Sequence, residues 1–453
     1  MTRRLLSLTL LLGAAVSAEE APPESQYEET LAVQVARVIT VSGDEIEGAT
    51  ILIEKGRIKS VGKGIEVPWN AKVIRLPRAT AMPGLISVHT TIGLRVPNEN
   101  VPNAAYISVL DGIDPSSQAI KDSLRDGVTI AHVIPANATR IGGQGAVVRT
   151  TGRTVEAMVV KSPSAMKISL RASIGETRMQ TIAALRKTFF DLYIQALEIS
   201  SESISTLLSG RPVGELSLAS VVESRAQWQE IDWDKLNTDK LSTELRPLID
   251  VVRGHLGCFI HCPGASDVFK AFELIDSNRL KATLVLGPDA YRLASVLKGR
   301  SDLGPVVLDG ELVAWETDLR TLEERRFVTP RILFDAGIRF AVQPVPDPGK
   351  YGPRLSRRGE LHLWYQAAQL VRFGIPRAEA LKAVTLTPAT ILGLDHRMGT
   401  IEPGKDANLS IFSGDPLDAR SWVEVVLIEG KEVYRRDRDP DLEALQREPE
   451  RRF

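Results

Sequence analysis

From Val33 the chain alternates between apolar and polar positions. Val33-Gln34-Val35-Ala36-Arg37-Val38 leads to Val41, and Ala49-Thr50-Ile51-Leu52-Ile53 and Ile58-Lys59-Ser60-Val61 follow, punctuated by Gly43, Gly56 and Gly62. Apolar residues at period two, broken by glycines, predict short antiparallel strands. The same texture returns near the C-terminus in Asn408-Leu409-Ser410-Ile411-Phe412 and from Val423 to Ile428, closed by the turn Glu429-Gly430-Lys431. Two such segments at opposite ends predict one small β-sandwich assembled from both.

Between them the period changes. Short apolar runs at Val128 to Val133, Met166 to Leu170, Gly257 to His261, Ala282 to Leu286, Val306 to Leu308 and Ile338 to Val342 read as buried strands. Helical patterns separate them at Ser116 to Arg125, Asp267 to Asp276, Ala290 to Leu297 and Leu361 to Phe373. Buried strands alternating with helices over roughly 300 residues predict an α/β fold whose parallel sheet closes into a (β/α)8 TIM-like barrel. Thr181 to Arg253 is too long for one crossover helix and predicts a helical insertion. The tail from Arg435 to Arg452 is rich in both charge signs and poor in apolar residues, so it is expected to fray.

Composition narrows the function classes. The 453 residues are 43% hydrophobic and 25% charged with a net charge of -1, so no basic field attracts nucleic acid. No internal run is long and apolar enough to predict a membrane span or anchor. Arg3 and Arg4 precede the apolar stretch Leu5 to Val16, and Val16-Ser17-Ala18 has small residues at both positions that a signal peptidase reads. Export to a periplasmic or extracellular space is therefore expected. The two cysteines, Cys258 and Cys262, lie on one predicted strand, where about 13 Å of extended chain keeps them too far apart to bridge. They are expected to be free and buried, and His261 beside Cys262 points to the opposite face.

Pro83-Gly84-Leu85-Ile86-Ser87-Val88-His89-Thr90-Thr91 resembles the first barrel strand of the amidohydrolase superfamily, whose usual form is P-G-L-I-D-x-H-x-H. Asp111 to Pro115, Asp126 to Thr129 and Ile141 to Gly145 resemble an exported branch related to imidazolonepropionases. Ala380 to Thr385, Pro388-Ala389, Ile391 to Gly393 and Gly399 to Ala407 resemble the family's last barrel helices and its return to the β domain. The resemblance implies a barrel at residues 81–394 with the insertion near 181–253, and a composite β-sandwich from 31–80 and 395–434. Around these lie a signal peptide at 1–18, a polar leader at 19–30 and a charged tail at 435–453.

The family's chemistry uses one or two divalent ions at the C-terminal ends of the strands to activate a water and polarise a carbonyl. Against that pattern His89 and His261 remain as residual metal ligands, and Lys167 stands at the strand-four ligand position, which is commonly a carboxylate or a modified lysine. The second histidine of strand one is replaced by Thr91 and its preceding Asp by Ser87. Pro263 replaces the second histidine of strand five, and the strand-six histidine position falls at Leu286. Pro344-Val345 stands for the Thr-Asp of strand eight, so Val345 replaces the carboxylate that handles the proton of the water. Asp347 is a distant substitute. No catalytic residue is assigned.

The other candidates have simpler explanations. His132 matches no ligand position and reads as a core or loop residue; His255, His362 and His396 read as ordinary. Gly142-Gly143-Gln144-Gly145 lacks the Lys-Ser/Thr of a phosphate loop and reads as a tight turn. Arg354, Arg357 and Arg358 read as a solvated cluster. No Gly-x-Ser-x-Gly elbow supports nucleophilic hydrolysis. The pattern implies an exported amidohydrolase-like protein that works by binding a small-molecule ligand or a homologous active amidohydrolase, with little or no hydrolysis. It would carry no metal or one weakly bound divalent ion, zinc first among the candidates. The alternative is a metal-dependent hydrolase of C–N bonds in amides, cyclic amides or dipeptides, using one ion at His89 and His261.

Overall fold

The computed structural model describes residues 30–173, 175–200, 231–300, 302–344 and 362–447. The leader, part of the insertion, Val345, Asp347, the Arg354 to Arg358 cluster and the end of the tail lie outside these residues.

The chain opens with β1 (Thr30–Val38), β2 (Ile46–Glu54), β3 (Arg57–Gly62) and the long β4 (Lys72–Pro83). β1 pairs antiparallel with β2 and parallel with β4. Val33, Ala49, Ile51, Ile53 and Ile74 form a dry core, as the alternation predicts. β4 then carries the chain into the second body through Gly84. A Cβ at Gly84 would lie 2.2 Å from Thr129 Oγ1, so the Pro-Gly of the motif is a close backbone approach that only glycine permits.

The barrel strands follow: β5 (Leu85–Thr90), β6 (Val128–Val133), β7 (Ile141–Gln144), β8 (Ala146–Arg149), the short β9 (Val159–Lys161), β10 (Ala165–Ser169), β11 (Gly257–Cys262), β12 (Ala282–Leu286) and β13 (Val306–Leu308). After the hairpin β14 (Val313–Thr317) and β15 (Glu324–Val328) comes the last of them, β16 (Phe340–Val342). They form a four-stranded sheet, β5-β6-β8-β9, and a six-stranded sheet, β16-β13-β12-β11-β10-β7. Backbone bonds join the two. Gly145 N donates to Ala165 O and Ser164 N to Gly145 O on one side. On the other, Val342 N donates to Ala383 O and Ile86 N to Val384 O, so residues 383–384 bridge the last strand to the first.

One position departs from the expected parallel order. β7 runs antiparallel to β10, and β8 antiparallel to β6. The link from Ile134 to Arg140 is too short to hold the crossover that a parallel return needs, so the chain doubles back.

Helices cover the outside much as their patterns predict, over Gln118–Arg125, Ala265–Asn278 and Leu363–Arg372. The fourth expectation, Ala290 to Leu297, is instead a 3-10 turn at Pro288–Leu293 running into a short helix at Ala294–Lys298. The insertion contributes a 22-residue helix, Arg178–Ile199, started by a capping box between Thr177 and Gln180. Finally β17 (Leu409–Phe412), β18 (Val423–Ile428) and β19 (Lys431–Arg435) return to the first body, giving the seven-stranded order β19-β18-β17-β4-β1-β2-β3. Among the described residues no helix is long and apolar enough to cross a membrane.

The expectation of a frayed tail is corrected up to Arg447. A 3-10 turn at Arg436–Arg438 leads into a helix over Pro440–Arg447. Arg125 grips Asp439 with two hydrogen bonds, Nε to Oδ2 at 2.7 Å and Nη2 to Oδ1 at 2.8 Å, while the Asp439 side chain is buried. The charge density that argues for disorder supplies this anchor.

Candidate functional site

Period-two alternation sorts the barrel side chains into two sets. Cys258, Ile260, Cys262, Leu284, Leu286, Leu308 and Val342 pack in the cluster shared with the covering helices. Phe259, Val285, Val307 and Ala341 belong to a separate cluster with Ala165 and Ile130 inside the barrel. Two residues beyond the inward positions, at the C-terminal ends of the strands, stand His261, Asp309 and Gln343; Ser169 of β10 is level with His261, and Lys167 lies one layer deeper, level with Phe259.

These polar side chains bond to one another. The Lys167 amine and His89 Nε2 are hydrogen-bonded at 2.6 Å, and the Lys167 side chain is fully buried. His261 Nε2 faces Asp309 Oδ2 at 3.2 Å, and its Nδ1 lies 3.3 Å from Ser169 Oγ. The Gln343 amide donates to Asp309 Oδ1, which leaves Gln343 Oε1 buried and without a partner. His132 also points inward but is held structurally, with Nδ1 bonded to Val88 O and Nε2 to Ser164 Oγ, both at 2.8 Å. Its ring stacks at a tilt on Phe259 with centroids 4.7 Å apart.

Burial sets the charge states. Desolvation, followed by the Lys167 charge, holds His89 well below the ordinary imidazole range. Burial likewise lowers His261, although Asp309 opposes it, and lowers His132 to about 4. Burial pulls the Lys167 ammonium down to about 7 against the stabilising charge of Asp309. For Asp309 burial works upward, but the hydrogen bond from His261 and the charges of His261, His89 and Lys167 outweigh it and hold the carboxyl at about 2. At neutral pH the cluster is three neutral imidazoles, an ionised carboxylate and an amine near its midpoint.

The remaining sequence candidates divide. His89, Lys167 and His261 come together at this mouth. Thr91 lies half-buried just past β5. Leu286 is corrected: it packs with the helix layer, and the inward strand-six position is Gly287. No side chain fits there, because a Cβ on Gly287 would lie 2.4 Å from Pro263 O. Cys258 and Cys262 are free and buried, and burial pushes both thiols upward, Cys258 to about 12. The sequence reading named only Asp347 as a substitute carboxylate and missed Asp309, which follows β13 and stands beside His261. Period two from Val307 and from Ala341 aims Asp309 and Gln343 inward, and that signal could have found them.

The donor set does not fit a resident metal. His89 Nε2 is engaged by the Lys167 amine at 2.6 Å, whichever of the two carries the shared proton. His261 Nε2 is spent on Asp309. Among the described residues no three His, Cys, Asp or Glu side chains gather to hold an ion, whereas a catalytic zinc site takes three protein ligands and a structural one four.

Comparison with known proteins bears on the scaffold. A model described as the amidohydrolase family matches residues 364–434. Amidohydrolase tasK from Hapsidospora irregularis is 23% identical over 423 residues, covering 84% of this chain and 39% of its own length. The chain thus spans well under half of that relative. An imidazolonepropionase from Maricaulis maris is 23% identical over 406 residues, covering 86% of this chain and 94% of its own. The crystal structure of an amidohydrolase from Thermotoga maritima superposes with a TM-score of 0.69 at 26% identity, covering 90% of this chain and 100% of that one.

Proposed function

We propose that the chain is a member of the amidohydrolase superfamily, which the family match and the similar proteins support, and that it is an exported protein that binds a small polar molecule at the barrel mouth with little or no hydrolysis. One observation carries the reading: the nitrogen through which His89 would meet an ion is bonded to the buried Lys167 amine at 2.6 Å. The unpartnered Gln343 Oε1 beside Asp309 offers an acceptor to a ligand that donates a hydrogen bond. Export rests on the leader, and the mature chain would begin at Glu19. A homologous active amidohydrolase is the macromolecular partner this reading admits.

The test is metal content by mass spectrometry on the unchelated mature protein, before and after zinc challenge and desalting, with turnover measured on a panel of amides, cyclic amides and dipeptides. The expected result is near-zero bound metal and no turnover above the blank. One tightly held ion per chain with turnover sensitive to chelation overturns the reading. That outcome would favour a hydrolase of C–N bonds, for which the single supporting observation is the ionised Asp309 beside His261. In that case His89→Ala and His261→Ala should each abolish activity.

A further inference from the structure

We infer that the Lys167 amine takes the place of the ion in this barrel and keeps divalent metal out of the mouth. The inference rests on the metal-free reading above and goes further by assigning the exclusion to one side chain. Its basis is the disagreement between an amidohydrolase scaffold and a donor set already closed on itself.

The closure is specific. β10 delivers Lys167 to the barrel interior, where its stem packs against Gly142; a Cβ on that glycine would lie 3.2 Å from Lys167 Cγ. The amine is fully buried and ends 2.6 Å from His89 Nε2, the atom that would otherwise face an ion. Across the mouth the carboxylate of Asp309 is shared between His261 and Gln343. A divalent ion approaching His89 has to displace the amine from its hydrogen bond and from the fully buried place it fills. Removing the amine frees His89 Nε2, on the same side of the barrel as the paired His261 and Asp309.

The test is titration of the full mature chain with cobalt(II) in bicarbonate buffer, read by the visible absorption of the bound ion. The wild-type protein should show no saturable band up to millimolar cobalt. Lys167→Ala should bind one ion per chain at least about a hundredfold more tightly. Adding His89→Ala or Asp309→Ala to that variant should remove the band. Lys167→Ser serves the same purpose if the alanine variant does not fold. Folded Lys167 variants that gain no cobalt overturn this inference and leave the metal-free reading standing. A wild-type chain that binds cobalt as tightly as its variants overturns both, as does mass-spectrometric detection of a carboxylated Lys167 with bound metal.

Discussion

Replacing Lys167 with methionine should make the protein more stable at neutral pH, and the advantage should fade in alkali. Lys167 is fully buried and its ammonium is lowered from its ordinary 10.5 to about 7. Near pH 7 the unfolded chain holds a proton that the folded chain barely keeps. The gap between the two values corresponds to about 5 kcal/mol of native-state penalty. Methionine has a similar length and no charge, so it removes that penalty, in line with other buried charges replaced by apolar side chains. The cost is the lost hydrogen bond to His89 Nε2, which leaves a buried acceptor unpaired at about 1–3 kcal/mol. The net gain at pH 7 is then about 2–4 kcal/mol. The sign with pH follows from a lowered basic group: between about 7 and 10.5 the unfolded state binds more protons, so wild-type stability rises with pH in that window. By pH 9.5 the penalty has shrunk to about 1–2 kcal/mol and the advantage of methionine should be gone. Paired urea denaturations at pH 7 and 9.5, with thermal midpoints as a second probe, measure the difference between the two proteins at each pH. A Lys167→Met variant less stable than wild type at pH 7, or a difference that does not change with pH, would refute the reasoning.

Three other outcomes are expected. His132, lowered by burial to about 4, refuses a proton that the unfolded chain accepts below about 6.5, so the fold should lose about 3 kcal/mol as pH falls from 6.5 to 4. His132→Gln should flatten that acid slope in urea midpoints compared at pH 5 and 7. Arg125→Ala strands the buried Asp439 carboxylate and should release the helix at Pro440–Arg447, at a local cost of about 1–3 kcal/mol. Hydrogen exchange should then quicken in that helix and not in β11. Gly287→Ala forces a methyl group against the Pro263 carbonyl and should cost about 1–3 kcal/mol in the thermal or urea midpoint; an unchanged midpoint would show that the strand-six end can move.

Much of the fold was legible because its periods are physical. Alternation at Val33 to Val38 and at Leu409 to Phe412 reflects one buried sheet face, and the two segments meet through β4 in one sheet. The antiparallel third position was hidden because Val128 to Val133 and Ala146 to Arg149 look alike whichever way they run; only the length of the link between them decides direction. The ordered tail was misread because composition counts charges and cannot see that Asp439 has Arg125 waiting, 314 residues away in sequence.

The site was half legible for a related reason. A family motif marks where ligands usually sit, so it found His89, Lys167 and His261 and looked for a carboxylate at Val345. It gave no cause to look at Asp309, which ends a different strand. Inward facing is a property of the strand, and it can be read without the motif: Val307 and Ala341 lie in the barrel core, so Asp309 and Gln343 must share its axis. Applied to strand six, the same parity moves the inward position from Leu286 to Gly287 and explains an empty place there by the Pro263 carbonyl. What parity cannot supply is the pairing. That the Lys167 amine closes on His89 and not on Asp309 depends on side-chain reach within a crowded interior. It is this pairing that separates a metal-holding mouth from one the chain has filled with its own amine.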